Sequence, residues 1–469
     1  MKKMIYFKNL LYLILCISIR ISFAQDANAF LDREYWKTNP DIADVEQKIT
    51  DGNDISELNR HFFDAVSYAL IEKVDNETIK HLLTKKGNDV NKLTHDGRTY
   101  IFWAAYRGNI KMMQFLVDNG AKTNIIDSHG YSLLNFAAVT GQLSTALYDF
   151  CIAQGADVSN EKNNDGANAL LLVAPFITDY KLVDYFTSKG IDIHSTDDDG
   201  NGIFNYAAKR GNVLLMDALI KKKVSYDGTN ANDENAMIFA SEGTRGYSNS
   251  VEIFQYLEKL GIEPNVTTKK GNTPLHSLAY KSKDTIVLAY FLSKGVDINQ
   301  QDDTGRSALI NAIQWGNVKV TQFLVDKGAN IFVKDSKGNN LAYYLMKQYN
   351  TQKPEEFDQK LAIFSKKGFD ILQQQENGNT LFHLALDYHN TEVLEKVKTF
   401  GIDVNTKNKD GITPLHKAAM IAKNDAVLKY LLTIGADKAI KTDFEESVYD
   451  LASENELLQK QEVVLNFLK

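Results

Sequence analysis

Apolar residues recur at helical spacing in short blocks, and each block ends at a glycine. Residues 115–120 and 323–328 show the pattern, with large apolar side chains shortly before Gly120 and Gly328. This spacing predicts the last turn of an amphipathic helix, because glycine easily adopts the left-handed conformation that closes a helix. A short apolar and acidic tail follows, so each block predicts a helix and then a loop.

A second glycine lies in a predicted turn and repeats with almost the same period. It usually follows Asp or Asn, where a tight turn needs a positive φ. Two independent markers that share one period, here 33–40 residues, indicate an internal repeat. The turn glycines are Gly97, Gly130, Gly166, Gly200, Gly271, Gly305, Gly338, Gly378 and Gly411, with Glu234 at the one position that lacks a glycine.

Two residues after each turn marker stands a residue type that commonly starts a helix. Ser, Thr and Asn side chains there accept a hydrogen bond from the first helical turn. Pro274 and Pro414 occupy the next position in two repeats, where a missing N–H costs nothing. Each repeat therefore predicts a turn, a first helix and a second helix. The predicted N-cap positions are Thr99, Ser132, Asn168, Gly202, Thr273, Ser307, Asn340, Thr380 and Thr413, and Ala236 is an exception.

Two repeats carry a motif that resembles the ankyrin signature. It reads TPLHKAA at residues 413–419 and TPLHSLA at residues 273–279, and the Gly-Ala-Asn tail at residues 328–330 agrees with it. The resemblance implies an all-α ankyrin-repeat solenoid of stacked helix-turn-helix units joined by hairpin-like loops. It divides the chain into an N-terminal capping segment (25–52), a partial first unit plus ten units (53–441) and a C-terminal capping repeat (442–469). A partner-binding aromatic arm is the alternative interpretation of the first of these segments.

Residues 1–24 have the pattern of a secretory signal peptide. Lys2, Lys3 and Lys8 precede an apolar run at residues 10–19, and residues 22–24 offer small side chains where a signal peptidase cuts. The run is too short for a membrane span, which takes about 20 apolar residues. We therefore expect an exported chain without stable membrane insertion, with the bacterial periplasm as first choice and secretion as second.

The net charge argues against a nucleic-acid partner. The chain has 53 basic and 60 acidic residues, a net charge of −7. Cleavage after residue 24 would remove four basic residues and no acidic one, which leaves 49 against 60 and a net charge of −11. Nonspecific nucleic-acid binding needs a concentrated basic surface. Cys151 would be the one cysteine left, which excludes an intramolecular disulfide.

The sequence lacks the familiar catalytic and phosphate-binding motifs, so we expect no enzyme activity, no cofactor and no metal. Three repeats keep the histidine of the ankyrin signature, and we interpret these side chains as braces for the turns. A metal site shared by His95 and His129 is an alternative interpretation for these two turn histidines, but the sequence supplies only two ligands for it. Cys151 occupies an apolar helix position and is interpreted as a buried, inert thiol. The signature histidines are His276, His383 and His416.

In the ankyrin family, partners usually bind on the concave side, formed by turn tips and the exposed ends of first helices. The corresponding positions here flank the turn glycine or lie nine or ten residues after it. They are rich in Arg, Tyr and Trp, which often dominate binding energy. Their positive charge suits an acidic protein partner. The predicted protein-binding residues are His95, Arg98, Tyr106, Arg107, Tyr131, Phe176, Lys209, Arg210, Tyr280, Arg306 and Trp315.

The resulting hypothesis is an exported, monomeric ankyrin-repeat scaffold that binds a protein partner through its concave face. A secreted effector or toxin-neutralising protein acting outside the cell is the first alternative, and an enzyme with an atypical site is a remote one. Two units carry insertions, at residues 242–250 and 348–358. Both are predicted between the two helices of a unit, and therefore as exposed loops.

Overall fold

The computed structural model describes residues 28–469, and the predicted signal peptide at residues 1–24 lies outside them. Within the described residues, no helix is both long enough and apolar enough to cross a membrane. The chain divides into two compact units, the first ending at Asp198 and the second running from Asp199 to Lys469.

Short α-helices make up nearly all regular structure of both units. Apart from two isolated β-bridges, residues 28–469 form no strand, so the predicted all-α class is confirmed. The first unit contains α1 Arg33–Lys37, α2 Ile42–Thr50, α3 Ala65–Glu72, α4 Asn76–Leu83, α5 Tyr100–Tyr106, α6 Ile110–Asp118, α7 Leu133–Val139, α8 Thr145–Ala153, α9 Ala169–Val173 and α10 Lys181–Ser188. The second contains α11 Ile203–Ala208, α12 Val213–Lys221, α13 Ala236–Glu242, α14 Val251–Lys259, α15 Pro274–Lys281, α16 Ile286–Ser293, α17 Ala308–Trp315, α18 Val318–Asp326, α19 Leu341–Lys347, α20 Pro354–Ser365, α21 Leu381–Ala385, α22 Thr391–Lys398, α23 Pro414–Ile421, α24 Ala426–Thr433, α25 Val448–Glu454 and α26 Glu456–Lys460.

A tight turn precedes each helix pair from α3 onward. Before α15, the N–H of Thr268 donates to the carbonyl of Asn272 at 2.9 Å, and Gly271 has a φ of 79°. Thr273 follows as the N-cap of α15. All nine predicted N-cap positions cap a first helix in this way. The repeat register is therefore confirmed at these turns.

Ala236 was an exception among the predicted N-cap positions because this repeat had been aligned one residue too late. The turn before α13 is closed by a hydrogen bond from Asn230 N to Glu234 O at 2.9 Å, and Asp233 has the positive φ, 60°. Asp233, not Glu234, therefore stands in the glycine position. Asn235 becomes the N-cap, and its side chain accepts the capping hydrogen bond. The unit follows the common rule once Asp233 is accepted as the turn marker.

Two further turns have the same geometry without glycine. Phe62, with a φ of 61°, precedes α3 and α4, and Glu445, with a φ of 64°, precedes α25 and α26. Both segments therefore hold two helices. In residues 28–469 there are twelve turn-and-helix-pair units, one more at each end than the ten predicted as complete.

Backbone hydrogen bonds join most turns to the next. Ser336 N donates to Thr304 O at 2.8 Å, and Asp303 N donates to Lys270 O at 2.8 Å. This close approach leaves no space beside the turn glycine. A Cβ built on Gly305 would lie 2.4 Å from Ser336 N. The glycine is therefore needed both for its positive φ and for the packing of the next turn.

The first helix of each pair lies in the core, and the second buries one face. In α5, residues 100–105 are all buried, whereas α6 buries Met112, Met113 and Leu116. Because the first helices are covered on all sides, their side chains reach solvent mainly at the C-terminal end. Tyr106, the last residue of α5, is half-buried. Side chains available to a partner therefore come from the turns and from these helix ends.

Two of the three signature histidines, His276 and His383, connect neighbouring turns. His276 Nδ1 accepts a hydrogen bond from Thr273 N at 3.0 Å, and its Nε2 donates to Arg306 O at 3.1 Å. His383 makes the equivalent contacts at 3.1 and 2.9 Å. Burial lowers the pKa of His383 to about 4, so the ring is neutral near pH 7. These contacts support the interpretation of His276 and His383 as braces.

The two insertions have different structures. Glu242 is the last residue of α13, and residues 243–250 form a connection with an exposed tip and one isolated β-bridge, in agreement with the predicted loop. The prediction of a loop over residues 348–358 is wrong from Pro354 onward. Pro354 begins α20, which runs to Ser365, and Phe357 in its first turn is buried. Proline suits the first helical position, so it starts this helix instead of interrupting a loop.

The N-terminal segment packs its aromatic side chains inward. Phe30, Trp36 and Val45 are fully buried, and Trp36 Nε1 donates to Phe30 O at 2.9 Å. Helix α1 packs against α3. Within residues 28–52 these aromatic side chains are therefore part of the core and do not form a free arm.

We predict that Gly305→Ala destabilises the protein more than Gly328→Ala. Both glycines have positive φ, 77° and 93°, so each alanine should cost about 1 kcal/mol in backbone strain. Only at Gly305 would the new Cβ meet the next turn, whereas at Gly328 nothing lies within 4 Å. We expect a further loss of about 2 kcal/mol for Gly305→Ala, measured by urea denaturation. Equal losses would contradict the importance of turn-to-turn packing.

Candidate functional site

Arg98 is an internal residue of the first unit. Its Nε and Nη2 both lie 2.7 Å from Asp127 Oδ2, and its Nη1 lies 3.0 Å from Asp96 Oδ2. The guanidinium carbon lies 4.5 Å from the ring centroid of Phe136. The side chain of Arg98 is 9% exposed and that of Asp127 is fully buried. Arg98 thus links two successive turns, and little of it is accessible to a partner.

The two turn histidines of the first unit gather around the carboxylate of Asp96. His95 Nε2 lies 3.3 Å from Asp96 Oδ2 and His129 Nε2 lies 3.2 Å from the same oxygen. The His95 ring also stacks on Phe63, with centroids 4.5 Å apart. The Asp96 carboxylate already pairs with Arg98. Across residues 28–469, no group of three or more His, Cys, Asp or Glu side chains is arranged to hold a metal ion.

The other predicted residues of the first unit are half-buried. The Arg107 guanidinium lies 4.8 Å from the Tyr106 ring centroid, and its Nε donates to the carbonyl of Ile71. Burial raises the pKa of Tyr131. Phe176 ends a short 3₁₀ turn that directly follows α9. These side chains are each tied to their own unit, and their outer edges remain accessible.

Lys209 and Arg210 belong to the second unit and contact its first insertion. Lys209 Nζ lies 3.7 Å from Glu242 Oε2 and 4.9 Å from the Phe239 ring centroid. The Arg210 guanidinium lies 4.5 Å from the ring centroid of Tyr247 in the insertion. Of the predicted basic binding residues, Arg98 and Arg107 thus belong to the first unit, and Lys209 and Arg210 belong to the second.

Three predicted residues of the second unit come together. Trp315, at the end of α17, is 53% exposed, and Tyr280, near the end of α15, is 36% exposed. Their rings meet edge to face with centroids 5.7 Å apart. The Arg306 guanidinium lies 4.5 Å from the Trp315 ring centroid and 5.0 Å from that of Tyr344. We call Tyr280, Arg306 and Trp315 the aromatic–arginine patch.

Two residues that were not predicted from the sequence, Asn311 and Gln314, hold Arg306 in place. Asn311 Oδ1 accepts hydrogen bonds from Arg306 Nε at 3.1 Å and from Nη2 at 3.0 Å. Gln314 Oε1 accepts another from Nη2. Both acceptors lie on α17, whose other side chains before Trp315 are apolar and buried. The sequence does contain a signal for this contact. Asn311 and Gln314 are the two amides of an otherwise apolar helix, and buried amides require hydrogen-bond partners.

A pocket of about 370 Å³ opens beside Trp315, between the end of α17 and the second insertion. Lys353 and Phe357 line it from the insertion side. Lys360 also lines it, and its buried Nζ donates to two backbone carbonyls at the end of α17, at 2.9 and 2.8 Å. The same ammonium group lies 2.9 Å from Glu356 Oε1. This pocket was not predicted, because the insertion was expected to be a loop.

Cys151 lies in α8 with 1% of its surface exposed. Burial raises the pKa of its thiol to about 12, so the thiol is protonated near pH 7. A buried, protonated thiol is a poor nucleophile. The structure supports the interpretation of Cys151 as an inert core residue.

The model of the family described as ankyrin repeats (3 copies) matches residues 66–162, 170–267, 245–335 and 349–442, which is more than half of the chain. The chain belongs to the ankyrin-repeat family. Ankyrin repeats commonly mediate protein–protein interactions. The aromatic–arginine patch lies within such repeats. The matched residues include the turns and helices that carry Tyr280, Arg306 and Trp315.

Other ankyrin-repeat proteins share parts of this sequence. The human transient receptor potential cation channel subfamily A member 1 is 23% identical over 373 residues, 78% of this chain and 30% of the channel. The putative ankyrin repeat protein FPV031 of fowlpox virus is 29% identical over 30% of this chain and 40% of the viral protein. The chicken nuclear factor NF-kappa-B p105 subunit is 28% identical over 53% of this chain and 25% of its own length. The chain thus spans between a quarter and two fifths of these curated relatives.

One solved structure that resembles the chain holds a predatory endopeptidase, Bd0816, from Bdellovibrio bacteriovorus in complex with the immunity protein Bd3460. The sequence identity is 22% and the TM-score is 0.34, with 42% of this chain and 98% of that chain covered. At this TM-score the likeness supports no statement about function.

We predict that Arg98→Ala lowers stability much more than Arg306→Ala, although both arginines follow a turn glycine directly. Removing Arg98 leaves the buried Asp127 carboxylate without its cation, which should cost about 3 kcal/mol. Arg306 has neutral acceptors and no carboxylate within 4 Å in the described chain, so its loss should cost under about 1 kcal/mol. Urea denaturation of both variants measures the difference. A larger loss for Arg306→Ala would show that Arg306 is mainly structural.

Proposed function

We propose that this protein is a scaffold without catalytic activity that binds a protein partner through turn tips and first-helix ends. The observation that carries the proposal is the exposure of Trp315 on a helix whose other residues are largely buried. Large aromatic and arginine side chains fixed on a rigid surface are the usual centres of protein interfaces. The patch is ordered by contacts within the unit, so a partner would lose little entropy in fixing these side chains.

The other predicted binding residues contribute in different ways. His95, Tyr106, Arg107, Tyr131 and Phe176 present accessible edges in the first unit, and Lys209 and Arg210 add positive charge beside the first insertion of the second. We assign Arg98 to the support of this surface because it is buried. The patch in the second unit combines the most exposed of the predicted aromatic residues with a guanidinium, so we place the centre of binding there.

The test compares what the wild-type chain and a Tyr280→Ala/Trp315→Ala variant capture from extracts of the source cells. We expect at least one protein to be held by the wild type and lost by the double variant, because the patch would supply most of the binding energy. Leu214→Ala is the matched control, since Leu214 is 74% exposed in α12 and lies outside the patch. Equal capture by all three chains would contradict a binding role for the patch.

We further propose that the chain is exported, with the periplasm as its site of action. The support is the basic, apolar and small-residue pattern of residues 1–24. We expect mass spectrometry of the protein from its native cells to give an N-terminus at Gln25 in the envelope fraction. A chain that keeps Met1 would contradict export, and a processed chain found only in the medium would favour the secreted alternative.

A further inference from the structure

Arg306 has hydrogen-bonding capacity that its own unit does not use. Its Nε and Nη2 donate to Asn311 and Gln314, which are neutral acceptors. In residues 28–469, Nη1 has no hydrogen-bond acceptor, and no carboxylate oxygen lies within 4 Å of the guanidinium. The two N–H groups of Nη1 are therefore available to an outside acceptor. A carboxylate is the favoured acceptor for them, because a hydrogen bond between two charged groups is about twice as strong as a neutral one.

The equivalent arginine of the first unit shows what Arg306 lacks. Arg98 also directly follows a turn glycine, but it pairs with Asp127 in the next turn. The residue that corresponds to Asp127 in the second unit is Asp335, three residues before its own turn glycine. Asp335 does not pair with Arg306, although the repeat places it in the same position.

The Asp335 carboxylate already accepts four other hydrogen bonds. Its Oδ2 accepts hydrogen bonds from Tyr344 Oη at 2.6 Å and Asn339 Nδ2 at 2.8 Å, and its Oδ1 accepts two backbone N–H groups at 2.8 and 2.9 Å. Burial alone would raise the pKa of Asp335, but these hydrogen bonds hold it below its ordinary value. In the first unit Phe136 occupies the position of Tyr344 and has no hydroxyl to donate. On Asp335, the Tyr344 hydroxyl and the Asn339 amide thus take the place that Arg98 takes on Asp127.

The surroundings of Arg306 favour an acidic ligand. Lys353 lines the pocket beside Trp315 and forms no ion pair within the described part of the chain. The one carboxylate on that pocket, Glu356, is paired with the buried Lys360 at 2.9 Å. The pocket has room for a side chain next to the group bound by Arg306.

We propose that the aromatic–arginine patch recognises an acidic peptide segment of the partner. An Asp or Glu carboxylate of that segment binds Arg306 Nη1, its backbone crosses the Trp315 ring, and a neighbouring side chain enters the pocket at the second insertion. This inference rests on the proposed function, because it specifies the chemistry of the partner at the same patch. The overall negative charge favours a peptide over a nucleic acid, which needs a more extended basic surface.

The first step of the test finds ligands for the patch. A random 12-residue peptide display library is selected on the full chain and depleted on the Tyr280→Ala/Trp315→Ala variant, so that retained peptides require the patch. We expect the retained peptides to be enriched in Asp and Glu. A failure to retain any peptide would contradict both the proposed function and this inference. Retained peptides without acidic enrichment would leave the proposed function intact and overturn the inference alone.

The second step measures coupling between Arg306 and one acidic residue. The affinity of a retained peptide, and of the same peptide with Glu changed to Gln, is measured by fluorescence anisotropy on wild type and on Arg306→Gln. We expect at least a tenfold loss from either change and little further loss from both together, because they remove the same contact. Arg245→Gln is the control, since Arg245 is an exposed arginine in the other insertion. Independent, additive losses would overturn the assignment of the carboxylate to Arg306.

A third variant tests the physical cause without altering the patch. Tyr344→Phe removes the hydroxyl from Asp335 and allows Arg306 to pair with that carboxylate, as Arg98 pairs with Asp127. We expect Tyr344→Phe to weaken the acidic peptide severalfold and to keep the helical circular dichroism of the wild type. Unchanged affinity would overturn the proposed competition. A 12-nucleotide single strand that binds more tightly than the peptide, and requires Arg306, would show that the ligand is a nucleic acid instead.

Discussion

The architecture depends on the distance between one turn and the next. Most turns donate a backbone N–H to the carbonyl of the turn before them, as Ser336 does to Thr304 at 2.8 Å. At that separation only glycine fits the crowded position at Gly305, where an added Cβ would lie 2.4 Å from a backbone nitrogen. The stack of turns fixes the start of every first helix. The side chains next to each turn therefore occupy comparable positions throughout a unit.

The regular part of this plan could be predicted from the sequence because it depends on local backbone chemistry. Glycine and the N-cap residues are selected by φ and by the first helical N–H groups, and both leave a clear residue type. The ends of the array were harder to predict, because Phe62 and Glu445 hold the left-handed conformation without being glycine. Pro354 was misjudged for a related reason, since proline starts a helix as readily as it interrupts a loop.

The candidate site was only partly predictable, because its properties depend on contacts between neighbouring repeats. The exposed positions of Tyr280 and Trp315 follow from the repeat register, which leaves the ends of first helices uncovered. The burial of Arg98 does not follow from it. Its exposure is decided by Asp127 and Phe136, more than 25 residues away in sequence. The pocket likewise requires the second insertion to fold as a helix that brings Phe357 and Lys360 against α17.

Repetition makes such differences informative. Arg98 and Arg306 occupy the same position in their repeats, and each lies over an aromatic ring of the next repeat. Phe136 leaves Asp127 free to bind its arginine, whereas the Tyr344 hydroxyl occupies Asp335. The same arginine is therefore a structural link in one unit and an open donor in another. A repeat protein can thus acquire a binding group without changing the residue that binds, because a hydroxyl in the next repeat decides whether the arginine is satisfied internally.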